Sequence, residues 1–144
     1  AAYEFKLDLL NGMKELGYDC DDLGPYSTER THYPIWAQKA ASGVAAGKYD
    51  RAILLCDSGV GMSIAANKVK GIRAVVCSDW YSAKYSRLHN NANVLALGRQ
   101  IVGRGLALSI IDVWLKTEFQ PERHQIRIDM LAQLDEGADL GERG

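Results

Sequence analysis

The chain has 144 residues, with 17 basic and 18 acidic side chains and a formal net charge of −1. The apolar fraction of 47% suits a single domain, which at this length buries about two-thirds of its unfolded surface. The charges are scattered along the chain, which argues against a nucleic acid or an anionic membrane as the partner. No run of about 18 apolar residues occurs, so the sequence predicts no membrane-spanning helix.

Two helices are predicted at the start of the chain. Residues 3–16 place apolar side chains on one helical face, and Gly17 follows where a helix commonly ends: these side chains are Phe5, Leu9, Met13 and Leu16. Pro34 is favoured in a first helical turn and opens a second helix that runs to Gly47.

An alternation of strands and helices follows. Short apolar runs at 52–56, 72–77 and 94–97 predict strands buried on both faces, and helical stretches lie at 62–69, 80–89 and 106–116. This order indicates an α/β fold with a parallel sheet covered on both sides. Pro121 opens a last helix, whose apolar side carries Ile126, Met130, Leu131 and Leu134. We therefore predict one domain over residues 1–136 and a frayed tail over 137–144.

The opening of the chain departs from a complete α/β pattern. The first predicted element is a helix, and the next strand candidate, residues 18–23, is short and acidic. In a doubly wound sheet that helix would cross over from a preceding strand near the sheet centre. We therefore expect a further strand in front of residue 1.

The strongest local signal is the segment 54–63, a buried strand followed by a glycine-containing loop and a helix. Gly59 and Gly61 allow backbone N–H groups to turn inward, so the loop can hold a phosphate or stabilise an enediolate oxyanion. The partial positive charge of these N–H groups and of the helix start also favours a thiolate at Cys56. The alternative is a structural tight turn beside an inert thiol. Cys77 also ends an apolar run, and we assign it no chemical role.

Several motifs in register closely resemble the type B ribose-5-phosphate isomerase family, which includes the galactose-6-phosphate isomerase subunits. They lie at residues 30–34, 56–61, 63–68, 71–75, 81–83, 89–94 and 123–127. The resemblance implies a Rossmann-like three-layer α/β/α sandwich with a five-stranded parallel sheet. It also implies a homodimer with its active site at the subunit interface and no metal or nucleotide cofactor. Whether dimers pair into tetramers stays open.

The resemblance also implies roles for individual residues. Cys56 looks like the general base that moves a proton between two carbons of the sugar, and His89 like the acid and base of ring opening. Asn90 and Ser58 would orient the opened sugar, and backbone donors of the loop 59–61 would hold the oxyanion. The substrate pocket would include Tyr33. The phosphate cluster would comprise Arg123, His124 and Arg127.

Three departures from the family pattern bear on the substrate. Relatives usually begin with a strand ending in Asp-His, whose side chains meet the sugar and phosphate. This pair is absent here, so either it precedes residue 1 or the protein lacks part of its site. Relatives usually have Gly-Thr where Asp57 and Ser58 stand, so the Asp57 carboxylate must point away from the enediolate or contact a substrate hydroxyl. Many relatives place a phosphate-binding arginine at the column of Gln100, so Arg99 is a candidate substitute.

The resulting hypothesis is a cytoplasmic aldose–ketose isomerase of phosphorylated sugars, with ribose 5-phosphate as the default substrate. The odd number of cysteines, without a CxxC pair, supports a reducing compartment. Hexose and tetrose phosphates remain alternatives. A non-catalytic phosphosugar-binding module on the same fold is the alternative from another class.

Overall fold

The computed structural model describes residues 2–27 and 29–142, without the side chain of Ala2. Helices and strands alternate along the chain from β1 to α5. In order, they are α1 (Ala2–Glu15), α2 (Tyr33–Ala45), β1 (Ala52–Cys56), α3 (Val60–Ala66), β2 (Ala74–Val76), α4 (Trp80–Asn90), β3 (Val94–Gly98), α5 (Arg104–Lys116) and α6 (His124–Asp135). The predicted alternation is confirmed, and β1 has the predicted bounds. The predicted tail is described only to residue 142, because Arg143 and Gly144 lie outside the described residues.

The three strands form one parallel sheet in the order β1-β3-β2. Alternate side chains of β3 point to opposite faces, as strand geometry requires. Leu95 and Leu97 pack with α1, α4 and α5, whereas Val94 and Ala96 pack with α2 and α3. The result is a three-layer α/β/α arrangement with the fully buried β3 in the middle of the sheet.

The expectation of five strands is not met by the described residues. The segment 18–23 forms no strand, and β2 spans three residues where six were predicted. The first difference has a physical cause: a strand needs a neighbouring strand for its backbone hydrogen bonds. Residues 18–23 do not pair with the sheet. The pairing of β2 with β3 covers Ala74 to Val76, and nothing in the structure explains why it is shorter than predicted.

A cleft of about 1160 Å³ runs along the outer edge of β1. All of β1 lines one side, and residues 18–25 line another, with α1 and α5 also contributing side chains. Because of this cleft, four of the five β1 residues are only partly buried, contrary to the prediction of burial on both faces. The cleft reaches from Arg51 at one end of the strand to Cys56 and Asp57 at the other.

The last helix also differs from its prediction. It begins at His124, three residues after Pro121, and Ile128 is its only buried side chain. Ile126, Leu131 and Leu134, predicted to form a packed side, are 67%, 40% and 50% exposed. Within the described ranges, no helix is long and apolar enough to span a membrane.

Candidate active site

The loop after β1 is folded around the side chain of Cys56. The backbone N–H of Gly59 donates to Cys56 Sγ at 3.0 Å, and the N–H of Val60 donates to Ser58 Oγ at 3.2 Å. Gly59 has φ of +82°, a left-handed conformation that glycine adopts without strain. The predicted inward turn of the loop is therefore present, with a backbone donor directed at the thiol.

Two glycines allow the loop to lie directly on the ends of the neighbouring strands. A Cβ on Gly59 would lie 2.9 Å from Val76 Cγ2 and 3.0 Å from the backbone carbon of Leu97. A Cβ on Gly98 would lie 2.5 to 2.6 Å from backbone atoms of Ser58. Side chains larger than hydrogen at these positions would push the loop away from the sheet, so both glycines set the position of Cys56 and Ser58.

Tyr33 closes one side of this loop. Its ring packs on Gly61, where a Cβ would lie 2.8 Å from Tyr33 Cζ. Tyr33 is the first residue of α2 and remains 46% exposed. It lines the cleft together with Cys56, Asp57 and Met62. The structure therefore brings the predicted residues Tyr33, Cys56 and Asp57 together at the carboxyl end of β1.

Asp57 and Arg99, singled out separately in the sequence, are partners in the structure. Arg99 Nε donates to Asp57 Oδ1 at 2.7 Å, and their side chains are 30% and 71% exposed, Arg99 being the more buried. The pairing follows from the sheet register. Cys56 lies opposite Gly98, and Asp57 and Arg99 are the residues that directly follow them. The register of β1 and β3 is the signal from which this pair could have been found.

A second cluster comprises His89, Asn90, Arg123, His124 and Arg127, at the ends of α4 and α6. The rings of His89 and His124 stack with centroids 4.2 Å apart and an interplanar angle of 17°. Arg127 Nη1 donates to the carbonyl of Arg123 at 3.0 Å, one helical turn away. Burial of the ring, and then the positive neighbours His89, Arg123 and Arg127, lower the pKa of His124. The cluster is cationic and partly exposed, which suits an anionic ligand.

The two clusters lie at opposite ends of the parallel strands, which we call the carboxyl edge and the amino edge of the sheet. Cys56 ends β1 at the carboxyl edge, whereas α4 returns the chain to the amino edge before β3. There, Ala52 N donates to Asn93 O and Asn93 N donates to Arg73 O, which places the end of α4 beside the strand starts. Five-residue strands rise about 13 Å from first to last Cα. Within one chain, the structure therefore does not bring His89 and Asn90 to Cys56.

A residue that the sequence interpretation missed holds the second cluster in place. Arg87 is buried, with Nε donating to Thr117 O and Nη1 donating to Asn91 Oδ1 and Ala92 O. Burial lowers the pKa of its guanidinium to about 10. These bonds fix the end of α4 and hence the ring of His89. An arginine on a helix is usually exposed, so nothing in the sequence marked Arg87.

Among the described residues, no group of three or more His, Cys, Asp or Glu side chains could hold a metal ion. The three cysteines are free thiols, and burial raises the pKa of Cys77 to about 11. Cys77 lies buried in the core. Partial exposure and the hydrogen bond from Gly59 N therefore distinguish Cys56 from Cys77.

Comparison with known proteins adds family evidence to this geometry. Residues 1–131 match the family model described as Ribose/Galactose Isomerase. The chain is 47% identical over 131 residues to ribose-5-phosphate isomerase B of Escherichia coli strain K12, covering 91% of this chain and 88% of that protein. It is 51% identical over 94 residues to D-erythrulose-4-phosphate isomerase 2 of Mycolicibacterium smegmatis, covering 65% and 62%. A solved structure of Clostridium thermocellum ribose-5-phosphate isomerase B superposes with a TM-score of 0.90 at 45% identity, covering 94% and 91%.

Proposed function

The chain belongs to the ribose/galactose isomerase family, and we propose that it isomerises a sugar phosphate with Cys56 as the general base. As a member of this family it is an aldose–ketose isomerase of phosphorylated sugars. The observation that carries the assignment of Cys56 is the hydrogen bond from Gly59 N to its sulfur at 3.0 Å. This bond fixes the sulfur at the mouth of the cleft, where a substrate carbon can approach it.

The proposed reaction moves one proton between neighbouring carbons. Cys56, as thiolate, removes the proton from the carbon beside the carbonyl, and the electron pair of that C–H bond forms the enediolate double bond. The thiol then returns the proton to the former carbonyl carbon, while a proton shifts between the two oxygens, so no atoms are gained or lost. Within the loop 59–61, the N–H groups of Gly59 and Val60 donate to Cys56 Sγ and Ser58 Oγ, so the proposed donors to the charged oxygens are the N–H of Gly61 and the hydroxyl of Ser58.

The second cluster supplies the remaining roles in this proposal. The imidazole of His89 exchanges protons with the ring oxygen and the hydroxyl of the closed sugar, which opens it. Asn90 hydrogen-bonds the open chain. Phosphate binds to the cationic group of Arg123, His124 and Arg127, since guanidinium groups match phosphate oxygens in a paired geometry.

We propose that two copies of the chain form each active site. Cys56 and His89 must both reach one sugar, but they lie at opposite edges of the sheet within a chain. A homodimer that presents the amino edge of one copy to the carboxyl edge of the other resolves this separation. Exposed apolar side chains at the carboxyl edge and on α6 offer a surface for that contact: they include Tyr33, Ile35, Val60, Ile64, Ile126 and Leu134.

We also propose that the cleft along β1 is the seat of a parallel strand. That strand would lie between β1 and residues 18–23, which then pair as well and complete five strands. Ala52 N points toward β3 and donates to Asn93 O. Because successive N–H groups of a strand point to opposite sides, those of Ile53 and Leu55 point into the cleft. With an apolar strand ending in Asp-His fused in front of residue 1, hydrogen exchange at Ile53 and Leu55 should slow at least about tenfold. Unchanged exchange at both amides would contradict this proposal.

Ribose 5-phosphate is the first substrate to test. A relative named for erythrulose 4-phosphate shares 51% identity over part of the chain, so tetrose phosphates are the second class, followed by hexose 6-phosphates. The free state of Cys20, Cys56 and Cys77 supports a reducing compartment such as the cytoplasm.

The decisive experiment combines a substrate panel with two cysteine variants. Cys56→Ala should lower kcat by at least about a hundredfold on the best substrate, because a positioned general base contributes that much, while binding persists. Cys77→Ala is the matched control, a buried thiol directly after β2, and should keep turnover within about twofold. Tight binding of sugar phosphates without turnover by the unaltered protein would instead identify a non-catalytic binding module.

A further inference from the structure

The carboxyl ends of β1 and β3 carry an ion pair directly beside the proposed base. Asp57 follows Cys56 in the chain, and its carboxylate accepts a hydrogen bond from Arg99 Nε at 2.7 Å. The bond uses one carboxylate oxygen and one guanidinium nitrogen. An acidic side chain next to a thiolate base is unexpected, since both the thiolate and the enediolate are anions.

The backbone holds these two residues side by side. Arg99 N donates to Cys56 O at 2.9 Å, and Gln100 N donates to Asp57 O at 3.0 Å, so the turn after β3 stays hydrogen-bonded to the end of β1 and to the loop that follows it. Gly98 lies beneath the backbone of Ser58, which keeps the loop close to this turn. The side chains of Asp57 and Arg99 therefore start from adjacent, fixed positions, which reduces the entropy lost when they pair.

We propose that Arg99 is a positioning residue that neutralises Asp57, and this rests on the proposed role of Cys56. The guanidinium holds the carboxylate in place and cancels its charge, so the base and the enediolate meet a neutral pair. This differs from a role of Arg99 in phosphate binding, in which the guanidinium would act on the substrate independently of residue 57.

The two roles predict different double-mutant behaviour. If Arg99 neutralises Asp57, Arg99→Gln leaves an uncompensated carboxylate near the reacting carbons. One unit charge at about 7 Å, in surroundings intermediate between a protein surface and water, changes a rate by about fivefold. We expect Arg99→Gln alone to lower kcat/KM by about fivefold relative to the unaltered protein, chiefly through kcat. Added to Asp57→Asn, it should lower kcat/KM by less than twofold relative to Asp57→Asn.

Two further variants separate charge from structure. Arg99→Lys keeps a cation within reach of the carboxylate and should retain most of the activity lost in Arg99→Gln. Glu4 is another acidic group within electrostatic range of Arg99. Adding Glu4→Gln to Arg99→Gln is therefore the matched control, and it should restore no activity. Because exposed ion pairs contribute little to stability, the unfolding temperature of each variant should stay within about 4 °C.

The measurement is steady-state kinetics on the sugar phosphate that the unaltered protein turns over best. If Arg99→Gln lowers kcat/KM equally with and without Asp57→Asn, the proposal is overturned. If that equal loss comes from a higher KM, Arg99 is a phosphate ligand. Rescue by Glu4→Gln as strong as that by Asp57→Asn also overturns it. Absence of turnover by the unaltered protein is a failure of the proposed function, and it is recorded before any variant is compared.

Discussion

Mixing two inactive variants would test whether the active site is shared between chains. Cys56→Ala removes the proposed base from the carboxyl edge, and His89→Asn removes the proposed ring-opening group from the amino edge. Each variant alone carries the same defect in every site. In a mixed dimer with shared sites, one site has both defects and the other has none.

The expected activity follows from this geometry. The two edges are separated by about 13 Å of strand, whereas a general acid or base must lie about 3 Å from the proton it transfers. A single chain therefore cannot use both groups on one sugar. In a two-fold dimer, random mixing gives mixed dimers as about half of all dimers, each with one intact site. The mixture should thus recover about one quarter of the activity of the unaltered protein.

The assay is isomerase turnover after the variants are unfolded together in equal amounts and refolded. A matched control uses Cys56→Ala with Ser58→Ala, whose defects lie at the same edge. Every site of that mixed dimer carries one defect, so turnover should not rise above the mean of the two parents. If Cys56→Ala and His89→Asn also give no more than their parents, while dimers form, the shared site is refuted.

Two other predictions concern the loop and the second cluster. Gly98→Ala must move the backbone of Ser58 by about 0.5 to 1 Å from its 2.5 Å approach and should lower kcat by about a hundredfold, whereas Gly103→Ala, with no atom within 4 Å, should not. The pKa of His124 lies below its usual 6.5 because of burial and then His89. Its neutral form is therefore favoured in the folded protein, and its share of stability is lost as pH falls below 6.5. An NMR titration should place the midpoint of His124 below 6.5, and His89→Asn should raise that midpoint.

The elements were predictable because their boundaries are local. Gly17 ends α1, Pro34 lies in the first turn of α2, and the apolar run of β1 stops at Asp57. These signals depend on backbone conformations that neighbouring residues favour or forbid. The same reasoning located Cys56 at a strand end next to a glycine loop, and the structure confirms that position.

Other features depended on contacts that a local pattern does not contain. Residues 18–23 have the length of a strand but no neighbouring strand to pair with among the described residues. The ion pair of Asp57 and Arg99 joins residues 42 positions apart, and only the register of β1 and β3 brings them together. Arg87 was unmarked because its partners are mostly backbone carbonyls, which every sequence has.

The weak packing of α6 within its own chain bears on the proposed assembly. This helix carries His124 and Arg127, yet it buries only Ile128 within its own chain, and Ile126 is 67% exposed. A surface helix normally buries a continuous apolar stripe, since that burial provides most of its stability. If a second copy covers the exposed side, the contact that orders α6 is the same contact that carries its cationic cluster to the partner's Cys56 loop. Assembly would then create the phosphate site and the complete catalytic site in a single step.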